Sequence, residues 1–162
     1  MKVLLDTNIL LRCAETKHSH HKMAIEALSS LRIAGAEFFL VPQLFYEYWV
    51  VSTRPVINDG RGITPLAVID EFVYFQPPRY TILYDSEEVF HEWKSLVLNY
   101  EVRGKPAHDA RLVAAMNVHK LSHLLTFNGN DFRRYMGITI IDPANPLALA
   151  SPRLDSVPES ND

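Results

Sequence analysis

Four carboxylates stand out by where they fall: Asp6, Glu47, Asp109 and Asp131. Asp6 follows the apolar run KVLL directly and is itself followed by Thr7 and Asn8. A carboxylate at the end of a buried strand is costly unless something positive pairs with it. Either Asp6 makes a turn and a cap with Thr7 and Asn8, or it is placed to hold a cation. Glu47 lies in a mostly apolar stretch with Phe45, Tyr46, Tyr48, Trp49 and Val50, so it either reaches out to solvent or faces a cleft. Asp109, near the start of a helix, gains from the helix dipole whatever else it does. Asp131, taken alone, reads as an N-cap for FRRYM. Convergent carboxylates without histidine or cysteine partners suit hard cations, Mg²⁺ or Mn²⁺. Such ions hold phosphates, activate water and stabilise the leaving oxygen in phosphodiester hydrolysis.

The elements that must position these residues can be read from periodicity. Strands are expected at 2–5 (KVLL), 38–41 (FFLV), 80–84 (YTILY), 123–126 (HLLT) and 138–141 (ITII). Between them, Met23, Ala24, Ala27, Leu28 and Leu31 recur at helical spacing over 18–34, with Gly35 as a stop. Pro42 suits the start of a helix that runs to about Arg54, before Pro55. VINDGRGI is expected as a loop, and Thr64-Pro65 as the N-cap and first residue of a helix reaching about Phe75. Asp85 and Glu88 have capping-box spacing and open a helix to about Tyr100. AHDARLVAAMNVHK is a further helix, with Leu112, Val113, Ala115, Met116 and His119 on its inner side. NGNDFRRYM is a loop with a short helix.

Continuously apolar strands alternating with helices are the pattern of a parallel sheet covered on both faces. Ligands of such sheets bind outside the carboxyl ends of the strands. All four carboxylates fall just after a strand or at the near end of a helix, and they come from four separate segments.

Composition adds limits. The chain has 162 residues, 48% of them hydrophobic and 22% charged, which fits a globular domain with a substantial core. The expected layout is one domain over 1–148 and a polar, proline-containing, disordered tail over 149–162. One cysteine, Cys13, allows neither an internal disulfide nor a thiolate cluster and fits a reducing, cytoplasmic setting. Asp6 interrupts the apolar start too early for a secretion signal. No apolar run approaches the roughly 18 residues needed to cross a bilayer. The net charge of −3 argues against a non-specific nucleic-acid coat. With the four site carboxylates set aside, the rest of the chain is close to neutral, so bulk charge does not exclude a phosphate-bearing substrate.

The segments LLDTNILL, VPQLFYEYWVVSTR, GKPAHDARLVAAM, LLTFNGNDFRRY and ITIIDP, in this order and spacing, resemble the PIN-domain nucleases and, within them, the VapC-type toxins. The similarity spans about Met1 to Pro143. It implies an α/β fold, a PIN-like three-layer sandwich with a central five-stranded parallel sheet flanked by helices. It implies a metal-dependent endoribonuclease, with catalytic carboxylates at Asp6, Glu47, Asp109 and Asp131. Mg²⁺, or Mn²⁺, would be held by Asp6, Asp109 and Asp131. Thr7, Asn8, Thr126 and Asn128 would be polar support for the site. The implied reaction is in-line attack of water on an RNA phosphodiester, leaving a 5′-phosphate and a 3′-hydroxyl. A cognate antitoxin protein and a homodimer are implied as well. Asn130 departs from the pattern, standing beside Asp131 where members often carry a second acid.

Arg103, Lys105, Arg111, Arg133 and Arg134 lie near these segments and are candidates for RNA-phosphate contacts, each also readable as ordinary surface charge. The aromatic group Phe45, Tyr46, Tyr48 and Trp49 suits core and subunit interface better than base stacking. Four alternatives stay open. A housekeeping PIN nuclease would carry the same site. A catalytically silent RNA- or protein-binding module would be expected to have lost some of the acids. An HD-type metal phosphohydrolase would recruit His91, His108, Asp109 and Asp131 on an all-helical fold. An aspartyl-nucleophile phosphatase would want an acid where Asn8 stands. His18, His20 and His21 read as solvated residues opening a helix rather than as a transition-metal site.

Overall fold

The structure, a computed structural model, describes residues 1–148. The expected disordered tail over 149–162 lies outside the described residues. Five short strands form the sheet: β1 (Lys2–Leu5), β2 (Glu37–Leu40), β3 (Thr81–Ile82), β4 (His123–Leu125) and β5 (Thr139–Ile141). All pairings are parallel and the order is β3-β2-β1-β4-β5. After the first residue, β1 and β2 are buried at every position. That is what helices on both faces require, and it is why these strands read as unbroken apolar runs.

The strand order places a topological switch between β1 and β4. The chain leaves β1 toward β2 and β3 on one side, and leaves β4 toward β5 on the other. The connections therefore diverge at the carboxyl ends of these two neighbours and leave a crevice there. Asp6 is the first residue after β1 and Thr126 the first after β4.

Among the described residues seven helices surround the sheet: α1 (Thr7–Ala14), α2 (His21–Ile33), α3 (Pro42–Thr53), α4 (Pro65–Phe72), α5 (Glu87–Asn99), α6 (Pro106–Val118) and α7 (Gly129–Phe132). Thr64 caps α4 as expected, its hydroxyl accepting from the Ala67 N–H at 3.3 Å, and the chain tightens into a 3-10 turn at Val56–Asn58 and again at Val73–Phe75. α6 is buried at Ala110 and from Leu112 to Met116, so it is a central helix.

Several elements differ from the sequence reading. α1 is missing from the sequence reading, which places no element between KVLL and residue 18: Thr7, Ile9, Leu10 and Leu11 are buried on a helix that begins immediately after Asp6. α2 starts at His21, because His18–His20 form a turn against Glu15. β3 pairs over two residues only; Leu83 makes a last bond to the Leu40 carbonyl at 2.8 Å, and β2 then gives way to Pro42 and α3. The capping box of Asp85 and Glu88 does not form. Ser86 holds the N-cap position of α5, and the Asp85 carboxylate is bonded to Arg111 instead. His119 is only partly buried, at the end of α6. Asp131 lies within α7 rather than capping it. Gly129 lets α7 lie on β5: a Cβ there would stand 2.8 Å from Ile140 Cγ2.

A candidate metal centre at the switch point

Asp6 is held at the switch by both neighbours. Its N–H donates to the Leu125 carbonyl at 3.0 Å, and the Thr126 hydroxyl donates to its carboxylate at 2.6 Å. Asn8 Nδ2 donates to the same carboxylate oxygen at 2.8 Å, while its Oδ1 accepts from the Phe127 N–H at 3.2 Å. Asn8 and Thr126 thus bond to the Asp6 carboxylate, and Thr7 to that of Glu47. Asn128 is exposed and contributes its backbone N–H to Thr126 Oγ1 at 2.9 Å. Asp6 holds the N-cap position of α1 with an extended backbone and no capping bond from its side chain, although the nearby N–H groups of Thr7 and Asn8 still favour its ionised form.

Glu47 faces the cleft rather than solvent. One of its oxygens accepts from Thr7 Oγ1 at 2.6 Å and the other from Gln43 Nε2 at 2.7 Å. Gln43 is itself buried and also donates to the His108 carbonyl at 3.0 Å, one residue before Asp109. Its Oε1 accepts from Arg111 at 3.0 Å. Sequence reasoning did not single out Gln43. The available signal was its place four residues before Glu47, on the same helix face.

Electrostatics ties the acids together. Asp6 is 8% exposed, and burial, opposed by the Thr126 bond and reinforced by the charge of Glu47, pushes its pKa from 3.8 to about 6. Half-buried Asp109 also rises from 3.8 to about 6. Burial is the main cause, followed by the charges of Asp131 and Glu47; His108 and Arg134 act in the opposite sense. Glu47 therefore bears on both aspartates, and Asp131 on Asp109. Among the described residues, none of the four carboxylates forms an ion pair with a basic side chain. The structure brings together negative charge and oxygen donors without supplying a cation, and this donor set fits a hard divalent ion. Among the described residues, however, no three histidine, cysteine or acidic side chains close into a finished metal group. An ion held here would rely on fewer side-chain ligands and keep several waters, as Mg²⁺ commonly does.

The other candidates sort clearly. Arg111 is committed to Asp85 and Gln43, whereas Arg103, Lys105 and Arg133 are exposed and, among the described residues, free of ion pairs. Tyr48 is fully buried, Phe45 and Trp49 are partly buried, and Tyr46 is exposed. Tyr48 joins Ser52 and Glu71 around Arg61, whose guanidinium bonds all three at 2.6–2.9 Å; this fixes the VINDGRGI loop and α4 onto the helix that carries Glu47. His20 stacks on Phe127 with ring centroids 4.8 Å apart, and His21 Nδ1 meets the Arg12 carbonyl. His91 pairs with Glu87 on the outside of α5, and the parallel sheet is not the all-helical frame of an HD-type site.

The chain has the PIN-like fold seen in VapC-type toxins. It matches a chain of the VapBC2 complex of Rickettsia felis, solved bound to a promoter DNA fragment, with TM-score 0.63, 15% identity and coverage of 86% of this chain and 97% of the other. It matches VapBC-1 of nontypeable Haemophilus influenzae with TM-score 0.62, 15% identity and coverage of 90% and 100%. It matches Mycobacterium tuberculosis VapC20, a toxin that cleaves the sarcin-ricin loop, with TM-score 0.59, 12% identity and coverage of 80% and 92%. No protein-family model and no curated protein matches the sequence. No helix among the described residues is long and apolar enough to cross a membrane.

Proposed function

We propose that the protein is a Mg²⁺- or Mn²⁺-dependent endoribonuclease and the toxin of a toxin–antitoxin pair. What supports this is that Asp6, Glu47, Asp109 and Asp131 come from four segments around the switch point of a parallel sheet, that Glu47 acts on both Asp6 and Asp109 and Asp131 on Asp109, and that none of the four has a basic ion-pair partner among the described residues. Asp6, Asp109 and Asp131 would hold the ion, in part through its retained waters rather than all by direct contact. Such an ion supplies Lewis acidity toward a phosphodiester and makes water a better nucleophile at neutral pH. The residues of the chain do the positioning: Thr126 and Asn8 fix the Asp6 carboxylate, and Thr7 and Gln43 fix that of Glu47. Exposed Arg103, Lys105 and Arg133 are available to phosphates, which makes binding salt-sensitive. An antitoxin partner and a homodimer go with this reading; the fold shared with toxin–antitoxin structures supports the first.

The test is cleavage of a mixed pool of structured RNAs by the purified protein, with Mg²⁺, Mn²⁺ or chelator, beside folded Asp6→Asn and Asp109→Asn. Cleavage that needs metal and is lost in both variants supports the reading. Equal cleavage by the variants, or none by the wild type in any metal, overturns it in favour of a binding module.

A further inference from the structure

A concavity of about 300 Å³ opens between the start of α5 and α6, lined by Asp85, Ser86, Val89, Phe90, Trp93 and Arg111. We propose that it is a subsite for one unpaired nucleobase of the RNA substrate; this rests on the ribonuclease reading above. Two aromatic rings form one wall. Phe90 is 56% exposed, and its ring lies 5.9 Å from that of Trp93 at an interplanar angle of 26°. Trp93 is anchored by its indole N–H, which donates to the Ala107 carbonyl at 2.9 Å, so its ring is positioned before anything binds.

The same concavity is lined by the Arg111–Asp85 pair. Arg111 spends one end of its fork on Asp85 and the other on Gln43, leaving further N–H donors, and Asp85 keeps free acceptor capacity. A phosphate would meet the Asp85 charge beside the guanidinium. A neutral base edge, which carries donors and acceptors together, meets both with profit. Aromatic faces with hydrogen-bonding groups at the rim are the means by which single-stranded RNA is read, because a base in a duplex is not free to leave its stack. Lys94 lies over the Phe90 ring at 5.8 Å and provides a cation for the adjoining backbone phosphate.

The concavity also communicates with the candidate centre. Arg111 donates to Gln43, and Gln43 donates to Glu47 and to the carbonyl next to Asp109. A base seated against Arg111 is therefore linked through Gln43 to Glu47 and to the chain next to Asp109.

The test is binding of a fluorescein-labelled single-stranded RNA to the full chain carrying Asp6→Asn, which prevents cleavage during the titration. Phe90→Ala, on an exposed ring, is expected to weaken binding by about 5- to 100-fold, and Phe90→Tyr to restore it. The loss should vanish when the probe is an abasic ribose-phosphate strand of the same length. With Trp49→Phe, Trp93 is the remaining tryptophan of the two, and its emission should be quenched by the RNA but not by the abasic strand. Unchanged affinity in Phe90→Ala, or an equal loss on the abasic strand, overturns the subsite. If metal-dependent cleavage by the wild type persists in that case, the ribonuclease reading stands without it. Failure of the protein to bind any RNA overturns both.

Discussion

The Thr126 hydroxyl and the Asp6 carboxylate join the two strands at which the sheet reverses its order, at a distance of 2.6 Å. The hydroxyl is fully used: it donates to Asp6 and accepts from Asn8 Nδ2 at 3.1 Å and from the Asn128 N–H at 2.9 Å. A threonine has one donor and two acceptor sites, so no substitute of the same shape can replace all three bonds. Thr126→Val keeps the volume and removes the donor. It is expected to cost about 1–3 kcal/mol of stability. In metal-free protein it should also move the Asp6 carboxyl upward from its value of about 6, because the bond that favours the ionised form is gone. Carboxyl-carbon NMR titration reads this directly, and an Asp6 titration unchanged by the valine would show that the hydroxyl bond does not bear on the carboxylate.

Both raised carboxylates make the metal-free fold less stable as the pH rises. In the unfolded chain Asp6 loses its proton near the ordinary value of 3.8, whereas in the fold it keeps it up to about 6. Between these values the native state binds the extra proton, so stability falls as pH rises through this window and levels off above it. For Asp6 the loss is on the order of 3 kcal/mol. Half-buried Asp109 adds a change in the same direction. Urea midpoints measured with chelator near about pH 4.5 and about pH 7.5 should therefore differ less in Asp6→Asn than in wild type. An equal pH dependence in the two proteins would remove Asp6 as its source.

A divalent cation should reverse this penalty. Binding to the native state alone stabilises by about 2.7 kcal/mol at a hundredfold excess over Kd. Since ligating carboxylates must be ionised, Mg²⁺ or Mn²⁺ should raise the thermal midpoint more above about pH 7 than below about pH 5. The increment should disappear in Asp109→Asn. Scanning fluorimetry across pH with each ion checks it, and an increment that survives the substitution would place the ion elsewhere on the chain.

The parallel sheet was legible, and the four acids stood out as candidates, because each leaves a local mark. Continuous apolar runs such as FFLV signal burial on both faces, and Asp6 stands out at the end of one. What stayed hidden depends on partners far apart in sequence. Asp85 and Glu88 have the spacing of a capping box, but the free energy of Asp85 is settled by Arg111 on another helix. Gln43 reads as an unremarkable helix residue until α6 supplies the His108 carbonyl and Arg111 to fill its bonds. α1 was lost for the opposite reason: its apolar residues adjoin β1 with only Asp6 to Asn8 between, and periodicity needs a longer window to part helix from strand.

Gln43 offers the sharpest separation of positioning from packing. The residue is 4% exposed, and its amide sits between three groups, donating to Glu47 and the His108 carbonyl and accepting from Arg111. Arg111 can only donate, so it fixes which end of the amide faces Glu47. Gln43→Met keeps the volume but removes both donors and the acceptor. Its cost in stability should be about 1–3 kcal/mol. Its cost in Mn²⁺ affinity or RNA cleavage should be about 10- to 100-fold, as for other residues that orient a ligand set. Gln43→Glu separates the causes. It preserves the shape and the acceptor for Arg111 but sets a like charge against Glu47 in place of a donor. Its Mn²⁺ affinity should therefore depart from wild type more at about pH 8 than at about pH 5, where the new carboxyl can carry a proton. The methionine variant has no such group and should show a deficit that changes little with pH. If both variants bind Mn²⁺ and cleave RNA as wild type does, Gln43 fills space in α3, and the orientation of Glu47 rests on Thr7 alone.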